Sequence, residues 1–314
     1  MTMLGKTAGG LYWMFRYLER SENTARLVEA GQRIALTRSR SDDEWQSVLM
    51  TAASLGSYLG KYPNVTKDNA IDWMLRDRDN RSSVLSMVET ARNNARLVRT
   101  ALTREVWESV NESWMVLKDA MARRVSERDL PALLTLIRQR SAHVRGAMSG
   151  TMLRNDIYNF ARIGTFTERA DNTARLLDVK YYVLLPSAMA VGSSLDNVQW
   201  ESLLRSVSAE GGFRMTYGQQ VRPREIAQFL ILDKRMPRSL AFCVEKMVDN
   251  LGYLSANYGT RSGALDLTEA LEDNRLNQSI DAIFEAGLHE FIQDVLRDIA
   301  AIGAQAETDF RFYE

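Results

Sequence analysis

Two twelve-residue stretches, Tyr17–Val28 (YLERSENTARLV) and Phe166–Leu177 (FTERADNTARLL), constrain this chain more than any other feature. Glu19, Arg20, Asn23, Thr24, Ala25, Arg26 and Leu27 recur as Glu168, Arg169, Asn172, Thr173, Ala174, Arg175 and Leu176, each 149 residues on, so seven of nine consecutive positions agree. Agreement of that order within one chain implies an internal duplication. On a helix turning about 100° per residue, Glu, Asn and Arg at i, i+4 and i+7 share one face. In the second copy that face also carries Ala161, Gly164, Val179, Tyr182 and Val183, so a polar trio interrupts an apolar or small stripe and is expected to be buried.

Fainter copies extend the pattern. Glu89, Asn93, Ala95, Arg96, Leu97 and Val98 repeat the first copy 70 residues on, with Thr90 in place of the arginine, and Glu245, Lys246, Asp249 and Asn250 give a fourth echo. The flanks set the period: Trp45 matches Trp200, Trp73 matches Phe229, Asp77 matches Asp233 and Ser83 matches Ser239, at offsets of 155 or 156. Two related halves follow, 1–150 and 151–314. Gly146, Ser149 and Gly150 make a poor linker between them, so the halves are expected to pack as one body.

The class is all-α. Helical periodicity dominates, no alternating apolar stretch is long enough to demand a sheet, and Pro63, Pro186 and Pro237 fall where the periodicity stops. Helices are expected over 11–37, 43–59, 68–76, 83–102, 103 onward, 131–150, 156–185, 196–207, 223–232, 239–257, 268–285 and 288–305. Ser41, Ser82 or Ser83, and Thr103 stand where N-caps are needed, and Ser41 with Glu44 has capping-box spacing. The glycines of 209–220 suggest an irregular excursion. The long helices are expected to cross near the two motifs with pseudo-twofold symmetry.

Composition removes several function classes. Forty basic and forty acidic residues cancel, so net charge favours no polyanion, and no nucleic-acid partner is expected. One cysteine, Cys243, excludes an intrachain disulfide and fits a reducing compartment. Residues 1–15 lack the apolar core of a signal peptide. The longest apolar run, Tyr181–Val191, contains Pro186 and is too short to span a bilayer. A cytoplasmic chain with no membrane partner is expected. There is no phosphate-binding glycine loop, nucleophile elbow or paired-cysteine motif, and Cys243, His143 and His289 read as core or surface residues.

The repeated polar residues admit several roles. Buried Glu19 would need a cation such as Arg26 or Arg175, which makes a structural ion-pair network. Alternatively Glu19, Arg20, Asn23 and Arg26, together with Glu168, Arg169, Asn172 and Arg175, form a binding site in which arginines hold a carboxylate or phosphate and a glutamate grips an amine. A third role makes Glu19 or Glu168 a general acid or base, its pKa raised by burial. Glu89, Arg96 and Glu245 are secondary candidates. A carboxylate-bridged metal centre would pair Glu with His three residues on, whereas those positions hold Glu22, Arg92, Asp171 and Val248, so no metal or cofactor is expected.

The two motifs, ERSENTAR and ERADNTAR, with ARNNARLVRTALTREVWESVN (91–111) and PRSLAFCVE (237–245), resemble the α-E family of bacterial helical proteins over nearly the whole chain. That family is named for its Glu-Arg motif and described as a tandem duplication. Its motif residues map onto Glu19, Arg20, Glu168 and Arg169, while Thr90 and Lys246 depart from it. Its members accompany circularly permuted ATP-grasp ligases, transglutaminase-like proteins and amidohydrolase-type peptidases. The resemblance therefore implies a system of peptide synthesis or modification, with an ATP-grasp ligase as partner. Within it the chain is an accessory or substrate-presenting component that takes a peptide or amino acid, an enzyme using a motif glutamate, or a scaffold or homo-oligomer.

Overall fold

A computed structural model describes residues 3–35, 42–182, 194–220 and 222–313, and among these the chain forms fifteen α-helices and no strand. The first half holds α1 (Gly5–Ala35), α2 (Asp42–Thr51), α3 (Leu55–Leu59), α4 (Lys67–Leu75), α5 (Val84–Leu97), α6 (Arg104–Ala120) and α7 (Leu130–Thr151). The second holds α8 (Asp156–Tyr182), α9 (Ser194–Ser206), α10 (Glu210–Tyr217), α11 (Pro223–Ile231), α12 (Leu240–Tyr258), α13 (Gly263–Leu271), α14 (Ile280–Ala286) and α15 (Leu288–Asp309).

Hydroxyl side chains start six of these helices. Thr66, Ser83, Thr103, Ser239, Ser262 and Ser279 each accept a hydrogen bond from the backbone N–H three residues on, satisfying a donor that the first turn leaves unpaired. The expected cap Ser41 lies outside the described residues. Trp45 and Trp200, matched in the sequence repeat, are both fully buried. The ends of α2 and α9 also agree: Ala53 and Ser208 adopt φ of 51° and 54°, and the following residues donate from Ser54 N to Leu49 O and from Ala209 N to Leu204 O.

The two motif helices, α1 and α8, form the centre. They pack on each other; α1 also rests on α5 and α7, and α8 on α12 and α15. One continuous apolar core draws residues from both halves, Trp45 and Trp73 with Trp200 and Phe229 among them. Only residues 152–155 separate α7 from α8. The crossing is close because Gly164 has no side chain: a Cβ there would stand 2.2 Å from the carbonyl oxygen of Tyr12.

Several expected boundaries move, each for a local reason. The helix over 43–59 is two helices, because left-handed Ala53 turns the chain after α2 and closes it with the Ser54-to-Leu49 bond. The helix expected to reach residue 102 stops at Leu97, followed by a 3-10 turn over Arg99–Ala101 that frees Thr103 to cap α6. The stretch 209–220 is not irregular: it contains α10, whose Phe213 is buried and whose Gly212 lets the Phe229 ring approach to within 3.3 Å of a Cβ position. The 268–285 helix is divided into α13, a π-turn over Glu272–Leu276, and α14 with its own cap at Ser279. The continuation of α8 towards residue 185 lies outside the described residues.

Gly164 gives the packing a direct test. Gly164→Ala forces α1 and α8 apart and is expected to destabilise the protein by about 1–3 kcal/mol in denaturant titrations, as overpacking does. The control is Gly146→Ala in α7, where a Cβ meets nothing within 4 Å and the helix should gain up to about 1 kcal/mol. Equal effects at the two positions would refute the close crossing.

Candidate functional site

Adjacent residues on a helix do not face each other, so an arginine that follows a glutamate cannot readily pair with it and reaches for another element. In α1 and α8 that element is the other motif helix. Arg169 donates from Nε and Nη2 to Glu19 Oε1 and Oε2 at 2.9 and 3.0 Å. Arg20 donates from Nε and Nη2 to Glu168 Oε1 and Oε2 at 2.5 and 2.7 Å. Each motif thus gives its arginine to the other's carboxylate in a two-pronged pair, the geometry in which guanidinium and carboxylate bind most strongly. The carboxylates are almost sealed: the side chains of Glu19 and Glu168 are 1% and 3% exposed.

Further arginines close each cluster. Arg238 donates from Nη1 to Glu19 Oε1 and to Asn23 Oδ1, both at 2.9 Å, and from Nη2 to Glu22 Oε1 at 2.9 Å. Arg145 of α7 pairs with Glu22 and stands 3.7 Å from Glu19. Around Glu168 the added cation is Arg16, whose Nε lies 3.0 Å from Oε2 and whose guanidinium rests over the Trp13 ring. Arg26 and Arg175 do not reach the motif glutamates. They pair one turn back on their own helices, Arg26 with Glu22 at 2.7 Å and Arg175 with Asp171 at 2.8 Å.

These contacts fix the charge states. Burial pushes the Glu19 carboxyl up, but Arg169 and Arg238 outweigh it and hold Glu19 well below the ordinary carboxylate range. Burial also opposes ionisation of Glu168, and Arg20 and Arg16 reverse it in the same way. Glu22 is lowered too, against burial and the repulsion of Glu19, by Arg238, Arg145 and Arg26. A general acid or base at neutral pH needs a carboxyl raised towards that pH. Both motif glutamates are displaced the other way and have their oxygens occupied. Cys243 is buried, and burial pushes its thiol up to about 12. His289 is paired with Asp178, and His143 lies exposed on α7.

Beside the Arg20–Glu168 pair lies a cavity of about 250 Å³. Its walls include Arg20 and Asn23 of α1, Asp171, Asn172 and Arg175 of α8, and Ser82 before α5. Asn23 holds Arg238 through Oδ1, while its buried Nδ2 has no hydrogen-bond partner. Of the residues expected to form a site, Glu19, Arg20, Asn23, Glu168 and Arg169 are thus joined or adjacent in one network, with Arg26, Asn172 and Arg175 along its edges. The secondary candidates lie outside it: Glu89 pairs with Arg78, Arg96 is exposed, and Glu245 is flanked by Lys234 and Lys246. Among the described residues no cluster of three His, Cys, Asp or Glu is placed to hold a metal, and no helix is long and apolar enough to cross a membrane.

Sequence reasoning missed Arg16, Arg145 and Arg238 as partners. Arg16 lies one turn before Arg20, and Arg238 lies within PRSLAFCVE, immediately before the cap of α12, so both carried a signal. Arg145 carried none, because its contact depends on how α7 docks.

An all-helical chain whose two central helices clasp each other through a repeated Glu-Arg dipeptide defines a class of helical Glu-Arg-motif proteins. The chain belongs to the Alpha-E family, described as a predicted alpha-helical domain with a conserved ER motif, which matches residues 3–310. No curated protein and no solved structure matches it.

The clasp predicts an acid-sensitive stability. A carboxyl whose pKa is lowered on folding contributes fully above its unfolded value, near 4.3, and loses that contribution as pH falls through the folded one. Glu19→Gln and Glu168→Gln leave buried arginines uncompensated and are each expected to cost about 3–5 kcal/mol at pH 7. Their melting temperatures should also fall less than the wild type's between pH 5 and about pH 3. Wild-type acid sensitivity retained in both variants would contradict this assignment.

Proposed function

We propose that this protein is a binding component, without catalysis of its own, of an ATP-grasp-dependent system of peptide synthesis or modification. In this reading the cavity beside the Arg20–Glu168 pair receives part of the substrate or carrier peptide. The observation that carries it is the engagement of the motif glutamates. Glu19 and Glu168 are tied to arginines and ionised, so the motif serves as the wall of a site rather than as an acid or base. The cavity supplies what a binding role needs: polar walls and a buried amide donor, Asn23 Nδ2, with no internal acceptor. The ATP-grasp partnership rests on the family resemblance alone.

The same engagement of the carboxylates by arginines favours a second reading, in which the clasp is only a scaffold. Asn172→Leu separates the two, because it makes one wall of the cavity apolar without removing a clasp partner. A circularly permuted ATP-grasp ligase of the kind that accompanies the family would be assayed with and without the protein. Co-purification, and a change in ligase turnover that Asn172→Leu reduces about tenfold or more while the melting temperature holds, are expected, a loss equivalent to about 1.4 kcal/mol. A ligase indifferent to the protein would refute the accessory role. A response unaffected by Asn172→Leu would refute the cavity's part in it, and turnover by the protein alone would restore an enzymatic reading.

A further inference from the structure

The surroundings of the two motif glutamates are not the same. On the Glu19 side, the Arg238 guanidinium lies among Glu19 Oε1, Glu22 Oε1 and Asn23 Oδ1. The register that carries Glu19, Glu22 and Asn23 onto Glu168, Asp171 and Asn172 is 149, and the register that carries Ser83 onto Ser239 is 156. By the second register the counterpart of Arg238 is Ser82. Ser82, Glu168, Asp171 and Asn172 all line the 250 Å³ cavity. The three residue positions that hold a guanidinium on one side therefore face a cavity on the other, where the chain offers a serine.

The local contacts agree with that correspondence. Arg26 pairs with Glu22 and reaches Ser208 Oγ at 2.5 Å. Its counterpart Arg175 pairs with Asp171 and shares the cavity wall with Ala53, the residue that matches Ser208 in position and in left-handed backbone. Glu19 and Glu22 are met by Arg26, Arg145, Arg169 and Arg238, whereas Glu168 and Asp171 are met by Arg16, Arg20 and Arg175. Two carboxylates face four guanidinium groups on one side and three on the other.

We infer that the cavity beside Glu168, Asp171 and Asn172 binds the guanidinium group of a ligand, taking from outside the cation that Arg238 supplies within the chain. This rests on the reading of the cavity as a ligand site and specifies what enters it. An anionic ligand fits less well, because the Nε and Nη2 donors of Arg20 are taken by Glu168 and those of Arg175 by Asp171. A carboxylate could reach only their remaining N–H groups, and it would stand beside the like-charged Glu168 and Asp171. The unpartnered Asn23 Nδ2 adds a donor that a guanidinium cannot satisfy but a carbonyl oxygen of the same ligand can. The chemistry is that of an arginine side chain, reaching the cavity either in a peptide or in a free alkylguanidine.

Calorimetry on the whole protein separates these sources and tests the inference. The probes are butylguanidine, butylamine, N-acetyl-arginine amide, N-acetyl-lysine amide, N-acetyl-glutamate amide and a blocked Ala-Arg-Ala peptide. Guanidinium probes should bind at least about tenfold more tightly than the matched amines, as the loss of one or two charged hydrogen bonds implies. A further gain by the peptide over butylguanidine identifies a peptide source, and equal affinity identifies a free alkylguanidine. Ser82→Arg should place the protein's own guanidinium in the cavity, raising the melting temperature and abolishing probe binding. Should that variant not fold, Asn172→Leu serves in its place and should weaken binding at least about tenfold. In Arg238→Ser, low-millimolar butylguanidine should recover part of the lost melting temperature and butylamine should not. Binding of amines or of the glutamate probe with equal or greater affinity overturns the guanidinium inference and leaves the cavity a ligand site. Absence of binding by every probe, with ligase activity still sensitive to Asn172→Leu, overturns the inference alone. Absence of both overturns the binding role as well.

Discussion

The exchange of arginines between α1 and α8 is the interaction on which the rest depends. A Glu-Arg dipeptide on one helix presents an acid and a base on different bearings, so neither readily satisfies the other. Two such helices, crossed at a glycine, solve the problem together, since Arg169 forks onto Glu19 and Arg20 onto Glu168. The arrangement sets the sliding and rotation of α1 against α8. Every helix packed on this pair, including α5, α7, α12 and α15, inherits its position from it.

Burying such groups is not in itself a source of stability. Removing two charges from water costs several kcal/mol each, and an apolar pair of the same size is often as stable or more so. What the clasp adds is selectivity. A shift of α8 by one residue would break both forked pairs while the two carboxylates stayed sealed from water, so the alternative packings are penalised more than the native one is favoured. The apolar core that spans both halves supplies the bulk of the stabilisation, and the clasp selects among the ways that core could close.

Much of this was legible in the sequence, and the illegible remainder has physical causes. The repeated motif and the small, apolar stripe around it gave two long central helices with buried polar faces. Ser83 and Thr103 gave their own caps. The left-handed turn at Ala53 was hidden because alanine does not advertise that conformation, and α10 was hidden because Gly211 and Gly212 read as breakers when Gly212 in fact admits the Phe229 ring. The partner of Glu19 could not be read from spacing. Arg26 shares its face but lies seven residues on, about 10.5 Å along the axis, and meets Glu22 one turn away instead. Arg145 and Arg238 reach the network from α7 and from the approach to α12, so their roles depend on tertiary docking.

The central claim is that the motif pairs across helices and not within them. A double-mutant cycle measures that directly, with Gln replacing each charged residue and unfolding free energy as the readout. Glu19 with Arg169, and Glu168 with Arg20, should each show a coupling of about 2–3 kcal/mol, while Glu19 with its sequence neighbour Arg20 should show no more than about 0.5 kcal/mol. A large coupling between Glu19 and Arg20, with none between Glu19 and Arg169, would contradict the account.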